Sequence, residues 1–147
     1  MSELPELNDL PELPLAPLQW GRTYTSSKDG EPIDGGDIAS LSLYHVDDAE
    51  QALKAGRVEE AKQHYALAAE FARYVLSTLK PQKQPNSTGV YGLSAVIHFS
   101  KAGDFEKAAA LVCELLKLSE EELPQPYRER LIGLTDPSRS HEITPSA

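Results

Sequence analysis

From Lys54 to Leu79 the chain repeats its apolar positions with the period of an α-helix. Ala61, Tyr65, Ala68, Ala72, Val75 and Leu79 recur at steps of four and three, which draws one stripe down a helix. Leu67, Phe71 and Tyr74 form a second stripe beside it. A helix that is apolar on two sides predicts a central element with neighbours on both. Alanines at 61, 66, 68, 69 and 72 let those neighbours come close and favour the helix intrinsically.

Part of this stretch occurs twice. Lys54–Ala61 reads KAGRVEEA and Lys101–Ala108 reads KAGDFEKA; five of the eight positions are identical, and Val58 and Phe105 are both apolar. A glycine at a helix C-terminus takes a left-handed conformation without a Cβ penalty. Each copy therefore predicts helix, glycine turn, helix, with Ala61 and Ala108 at a tight crossing. The predicted helices run over 38–55, 58–79, 87–102, 104–118 and 124–132. Asp37 is the expected cap of the first, which places Leu41, Tyr44, Ala49, Ala52 and Leu53 on its apolar side. Ser87 or Thr88 caps the third, whose Gly89 and Gly92 mark either a close backbone approach or a frayed start. Ser119 and Glu122 have capping-box spacing. Tyr127, Leu131 and Ile132 are the packing residues expected of the fifth helix, and Gly133 its end.

Gly56, Ala61, Tyr65 and Ala68 resemble the second half of a tetratricopeptide repeat, and Gly103 and Ala108 match it in the second copy. Val112 and Leu115 replace that copy's aromatic and small residues. His45, Asp48 and Ala49 stand where the family has Trp and Leu-Gly, and Arg73 stands in place of its closing proline. The copies also lie further apart than the family's repeat of about 34 residues. The resemblance covers residues 41–72 and 88–118. It implies an all-α architecture of two antiparallel helical hairpins plus a short C-terminal helix. It also implies a concave face that binds peptides, lined by the first helix of each hairpin.

The organisation expected is an extended acidic arm and loop over 1–37, a helical-hairpin domain over 38–134 and a disordered tail over 135–147. Prolines 5, 11, 14 and 17 forbid a regular helix in the arm. The arm nevertheless carries Leu4, Leu7, Leu10, Leu13, Leu15 and Leu18, more than idle tails do. Two readings stand: a strap across the chain's own helices, or a linear motif that docks on another protein. Trp20, the one tryptophan, anchors the arm in either case. Residues 21–36 suit a small hairpin and an irregular loop equally well.

Charge is placed unevenly. The net charge is −9; residues 1–37 hold eight acids and two bases, 38–118 nine of each, and 119–147 six and three. A neutral helical core with acidic arms and no basic patch argues against nucleic-acid binding. Cys113, the single cysteine, lies in an apolar run and reads as a buried core thiol. The acidic N-terminus lacks a signal-peptide core. No apolar run reaches membrane-spanning length, so no membrane contact and a cytoplasmic location are expected.

Enzyme signatures are absent: there is no phosphate-binding glycine loop, G-x-S-x-G, H-E-x-x-H or cysteine pair. No cofactor or metal is expected. His45, His64 and His98 lack a His or Cys partner at helical spacing, and His45 with Asp48 alone makes a weak ligand pair. A Cys113–His98 nucleophile pair has no orienting third group. The expected function is therefore a non-catalytic protein–protein interaction module: an adaptor, small chaperone or assembly factor. Its partner residues would be Tyr44, Asp48, Gln51 and Lys54 on the first helix, Tyr91, His98 and Lys101 on the third, and Leu4, Leu7, Leu10, Leu13 and Trp20 of the arm. Two hairpins are few for a continuous core, so the arm or a second copy of the chain would complete it. The alternative is an acidic inhibitor or immunity-type protein that blocks a basic partner; a small enzyme ranks last.

Overall fold

The structure, a computed structural model, describes residues 10–14, 16–26 and 30–135. Five helices follow a short ribbon: α1 (Gly35–Lys54), α2 (Val58–Thr78), α3 (Pro85–Lys101), α4 (Phe105–Leu115) and α5 (Gln125–Thr135). In the ribbon, β1 (Tyr24–Thr25) pairs antiparallel with β2 (Pro32–Ile33), with Tyr24 opposite Ile33. The described residues are thus all-α apart from two residue pairs. Leu4, Leu7 and the tail beyond Thr135 lie outside the described residues.

The sequence repeat becomes a structural one at the two turns. Gly56 (φ +78°) and Gly103 (φ +84°) both adopt the left-handed conformation. Arg57 N–H donates to the Ala52 carbonyl and Gly56 N–H to Leu53; Asp104 N–H donates to Phe99 and Gly103 N–H to Ser100 in the same pattern. These paired bonds are the Schellman arrangement, which satisfies carbonyls that a helix end leaves free and folds the chain back on itself.

α2 has neighbours on both sides, but its stripes divide differently from the prediction. Ala61 and Tyr65 of the first stripe cluster with Ala49 and Ala52 of α1. Ala72 and Leu79 of the same stripe, with Ala69 and Leu76, join the principal core with Ala95, Val96 and Phe99 of α3, Leu111 and Leu115 of α4, and Leu131 and Leu134 of α5, while Phe71 and Tyr74 of the second stripe enter a separate core with Val75. Gly89 and Gly92 are close approaches. A Cβ at Gly89 would lie 2.3 Å from the Tyr127 ring, and one at Gly92 would lie 3.0 Å from Leu115.

The arm straps the chain's own helices. Leu10 and Leu13 are buried in a second core with Tyr24, Ile38, Phe71, Tyr74 and Val75. Tyr74 Oη donates to the Pro11 carbonyl. The buried Arg73 guanidinium donates to the carbonyls of Leu13 and Pro14, both at 3.1 Å, and pairs with Glu70 at 3.2 Å. Arg73 is the clamp that holds the arm. Leu18 N–H reaches Glu114 on α4 at 3.2 Å, Gly21 N–H donates to Leu79, and Trp20 packs against the principal core.

Several expectations need correction. α1 is capped by Asp34, whose carboxylate accepts from Gly36 N–H at 3.0 Å, so it starts before Asp37. α3 starts at Pro85, whose missing N–H costs nothing in a first turn; Thr88 is then inside the helix and donates to Gln84. The Ser119–Glu122 capping box forms reciprocally, with bonds of 3.0 and 3.3 Å, but closes a turn that precedes α5. Gly133 is buried inside α5 and does not end it, and Ile132 is exposed. Cys113 is exposed, because it falls off the Ala108–Leu111–Val112–Leu115 stripe that α4 buries.

Candidate functional site

The predicted partner residues fall into three groups. On α1, Tyr44, Asp48, Gln51 and Lys54 are exposed, and Leu43 beside them is the most exposed large apolar side chain of the described residues at 65%. Tyr44 itself is 55% exposed, against its expected place in the α1 interface. Side chains at 43 and 44 point roughly 150° and 110° away from the middle of the flank that carries Ala49 and Ala52, so burying that flank leaves them outside. The apolar pair lies beside carboxylates: Asp47, Asp48 and Glu50 are all exposed.

On α3, Tyr91, His98 and Lys101 do not share that open face. Tyr91 is half-buried against both larger cores. The His98 ring lies on Tyr65 of α2, with centroids 6.2 Å apart, and Lys101 Nζ sits over the same Tyr65 ring at 5.4 Å. His98 Nδ1 is buried without a hydrogen-bond partner. That burial, with help from the Lys101 charge, pushes the His98 pKa down to about 4. Burial also raises the Tyr65 hydroxyl above its ordinary range, and Glu50 adds to the shift. In the arm, Leu10 and Leu13 are buried and Trp20 is half-buried, so these three serve the core.

The fold also assembles a cluster that no single helix holds. The α1–α2 hairpin runs antiparallel, with Ser42 Oγ donating to the Ala68 carbonyl at 2.8 Å. That register sets His45 of α1 against His64 of α2, and their Nδ1 atoms are 3.1 Å apart. Asp48 follows His45 by three positions and therefore shares its face of α1. One donor atom from each of His45, Asp48 and His64 lies within 4.8 Å of the others. The His45 ring is held between two neighbours: His64 at 5.4 Å and the buried Phe71 at 5.7 Å, the latter nearly parallel at 6°. Burial lowers the His45 pKa, the His64 ring lowers it further and the Asp48 carboxylate opposes both. His64 lies outside the predicted site because no histidine or cysteine stands at helical spacing from it along α2. The register that pairs them shows only in the folded hairpin, where Ser42 of α1 meets Ala68 of α2.

Two other features are simpler. A shallow surface depression of about 480 Å³ is lined by Trp20, Gly21, Lys80, Pro81, Gln82, Lys83 and Glu122. No helix among the described residues is long and apolar enough to cross a membrane. Set against protein-family models, curated proteins and solved structures, the chain matches none of them.

Proposed function

We propose that this chain is a non-catalytic interaction module, an adaptor, small chaperone or assembly factor, that binds a protein segment along the outer face of α1. The observation that carries the reading is the adjacent exposure of Leu43 and Tyr44 on a helix whose opposite flank is engaged by α2. Aromatic and aliphatic anchors of this kind supply most of the binding energy of an interface. The surrounding Asp47, Asp48 and Glu50 select a partner of opposite sign. The occupant is thus a segment that offers an apolar side chain flanked by lysine or arginine. The resemblance to tetratricopeptide hairpins, whose family binds peptides, agrees with this role. Leu10 and Leu13 could serve as a docking motif only by leaving the core they fill, which makes the arm the weaker candidate.

The test is a tagged pull-down from the native host's lysate at low and moderate salt. It compares the full-length chain with the double variant Leu43→Ser, Tyr44→Ser. The expected result is a partner captured by the parent chain, weakened by salt and lost in the variant, with unchanged helical circular dichroism. Equal capture by parent and variant sinks the reading.

A further inference from the structure

We propose that His45, Asp48 and His64 bind one divalent late-transition-metal cation, with zinc as the reference ion, across the α1–α2 hairpin. This goes beyond the interaction reading and does not depend on it.

The geometry is the first argument. Imidazole nitrogens coordinate zinc at about 2.0–2.1 Å. Two nitrogens 3.1 Å apart, each at that distance, subtend an angle of roughly 95° at the ion. That value lies between octahedral and tetrahedral coordination. Zinc has no d-electron preference against it. The third donor lies close by: one donor atom from each of the three residues lies within 4.8 Å of the others, and the Asp48 side chain is exposed.

Support around the donors is the second argument. Phe71, 2% exposed, stacks on His45 and fixes the plane of its ring. The α1–α2 contact beneath, made by Ala49, Ala52, Ala61 and Tyr65, leaves little play between the helices. In the ion-free arrangement one Nδ1 donates its hydrogen to the other. On binding, that histidine moves its proton to Nε2, and both Nδ1 lone pairs face the ion. Neutral imidazole is the form a metal needs.

Ligand type decides the class of ion. Two imidazoles and a carboxylate, with no thiolate, suit zinc, nickel, cobalt or iron better than calcium or magnesium, which take oxygen donors. Three protein donors leave at least one position for water.

The test uses the full chain, stripped with chelator and titrated at pH 7.5 with zinc by calorimetry. A parallel titration uses cobalt, whose visible absorption reports ligand number. The expected result is one ion per chain with a dissociation constant at or below the micromolar range. His64→Gln and Asp48→Asn should each weaken it at least about 10-fold. Both side chains are at least partly exposed, so the ion-free melting midpoints of these variants should match the parent's within a few degrees. Zinc should raise the parent's midpoint more than it raises those of the variants. Binding only in the millimolar range would overturn the proposal. So would tight binding that survives both substitutions, since the ion would then sit elsewhere.

Discussion

The two glycine-turn hairpins start from the same eight-residue pattern and end as different kinds of interface. In the second, Val96 and Phe99 of α3 face Leu111 and Leu115 of α4, and α5 closes over them with Leu131 and Leu134. In the first, α1 and α2 meet through Ala49, Ala52, Ala61 and Tyr65, with His45, Ser42 and His64 on the same contact. The second interface is apolar and is covered on its outer side by α5. The first is tight and partly polar, and its outer helix faces solvent. The shared turn fixes direction only. The side chains beyond the turn decide whether each hairpin becomes core or surface.

The strongest test of this contrast is truncation. Leu111 is fully buried, so Leu111→Ala should cost about 3–4 kcal/mol in a urea titration. A cost near 1 kcal/mol would mean that the second hairpin is not the energetic centre of the molecule.

Next comes the seam between the hairpins, where His98 of α3 rests on Tyr65 of α2. With its pKa lowered to about 4, folded His98 refuses a proton that the unfolded chain accepts near the ordinary value of 6.5. Between those values the unfolded state holds more protons, so stability rises with pH. The contribution is complete above about pH 6.5 and is lost as pH falls toward 4, with a size on the order of 2–3 kcal/mol. His98→Phe keeps a ring on Tyr65 and removes the unpartnered nitrogen. Stability measured from pH 7.5 to 4.5 should fall less steeply in this variant than in the parent. Parallel curves would place His98 outside the seam's energetics.

The smallest effect separates the two second helices. Asp104 caps α4 by accepting from Lys107 N–H at 3.1 Å, whereas Arg57 at the matching position makes no cap and pairs with Glu60 at 2.5 Å. Asp104→Ala should cost about 1 kcal/mol and Arg57→Asp should gain roughly 0.5 kcal/mol, both read as shifts in melting midpoint. If Arg57→Asp destabilises, the exposed Arg57–Glu60 pair matters more than a cap.

Much of this fold was legible because it rests on local rules. The 3.6-residue stripes located all five helices, and the twice-written Lys-Ala-Gly located both turns. Boundaries slipped where a side chain chose among neighbouring options: Asp34 took the cap that Asp37 could have made, and Pro85 opened α3 ahead of Ser87. Cys113 was misplaced by the apolar company it keeps along the sequence, which is not the company it keeps around the helix. Tyr44 and Ile132 were assigned to interfaces on residue type, and both lie on the outer sides of their helices. The histidine cluster does not show in the spacing of any one helix, since its geometry depends on the register between two. Arg73 shows the same limit. Its burial is explained by Glu70 one turn earlier and by the carbonyls of Pro14 and Leu13, which stand 59 and 60 residues earlier in the chain.

The arm has one more consequence, in the order in which the protein is made. Leu13 is synthesised 60 residues before the Arg73 that holds it, and Leu18 is synthesised 96 residues before Glu114. At ribosomal speeds of 5–20 residues per second, these partners emerge after about 3–12 s and 5–20 s. Throughout that interval the arm's leucines have no groove to enter. The prolines interleaved with them then act as guards, because a segment so punctuated cannot donate a regular ladder of hydrogen bonds to a neighbouring nascent chain. The composition that keeps the arm from becoming a helix also protects it until α2 and α4 exist.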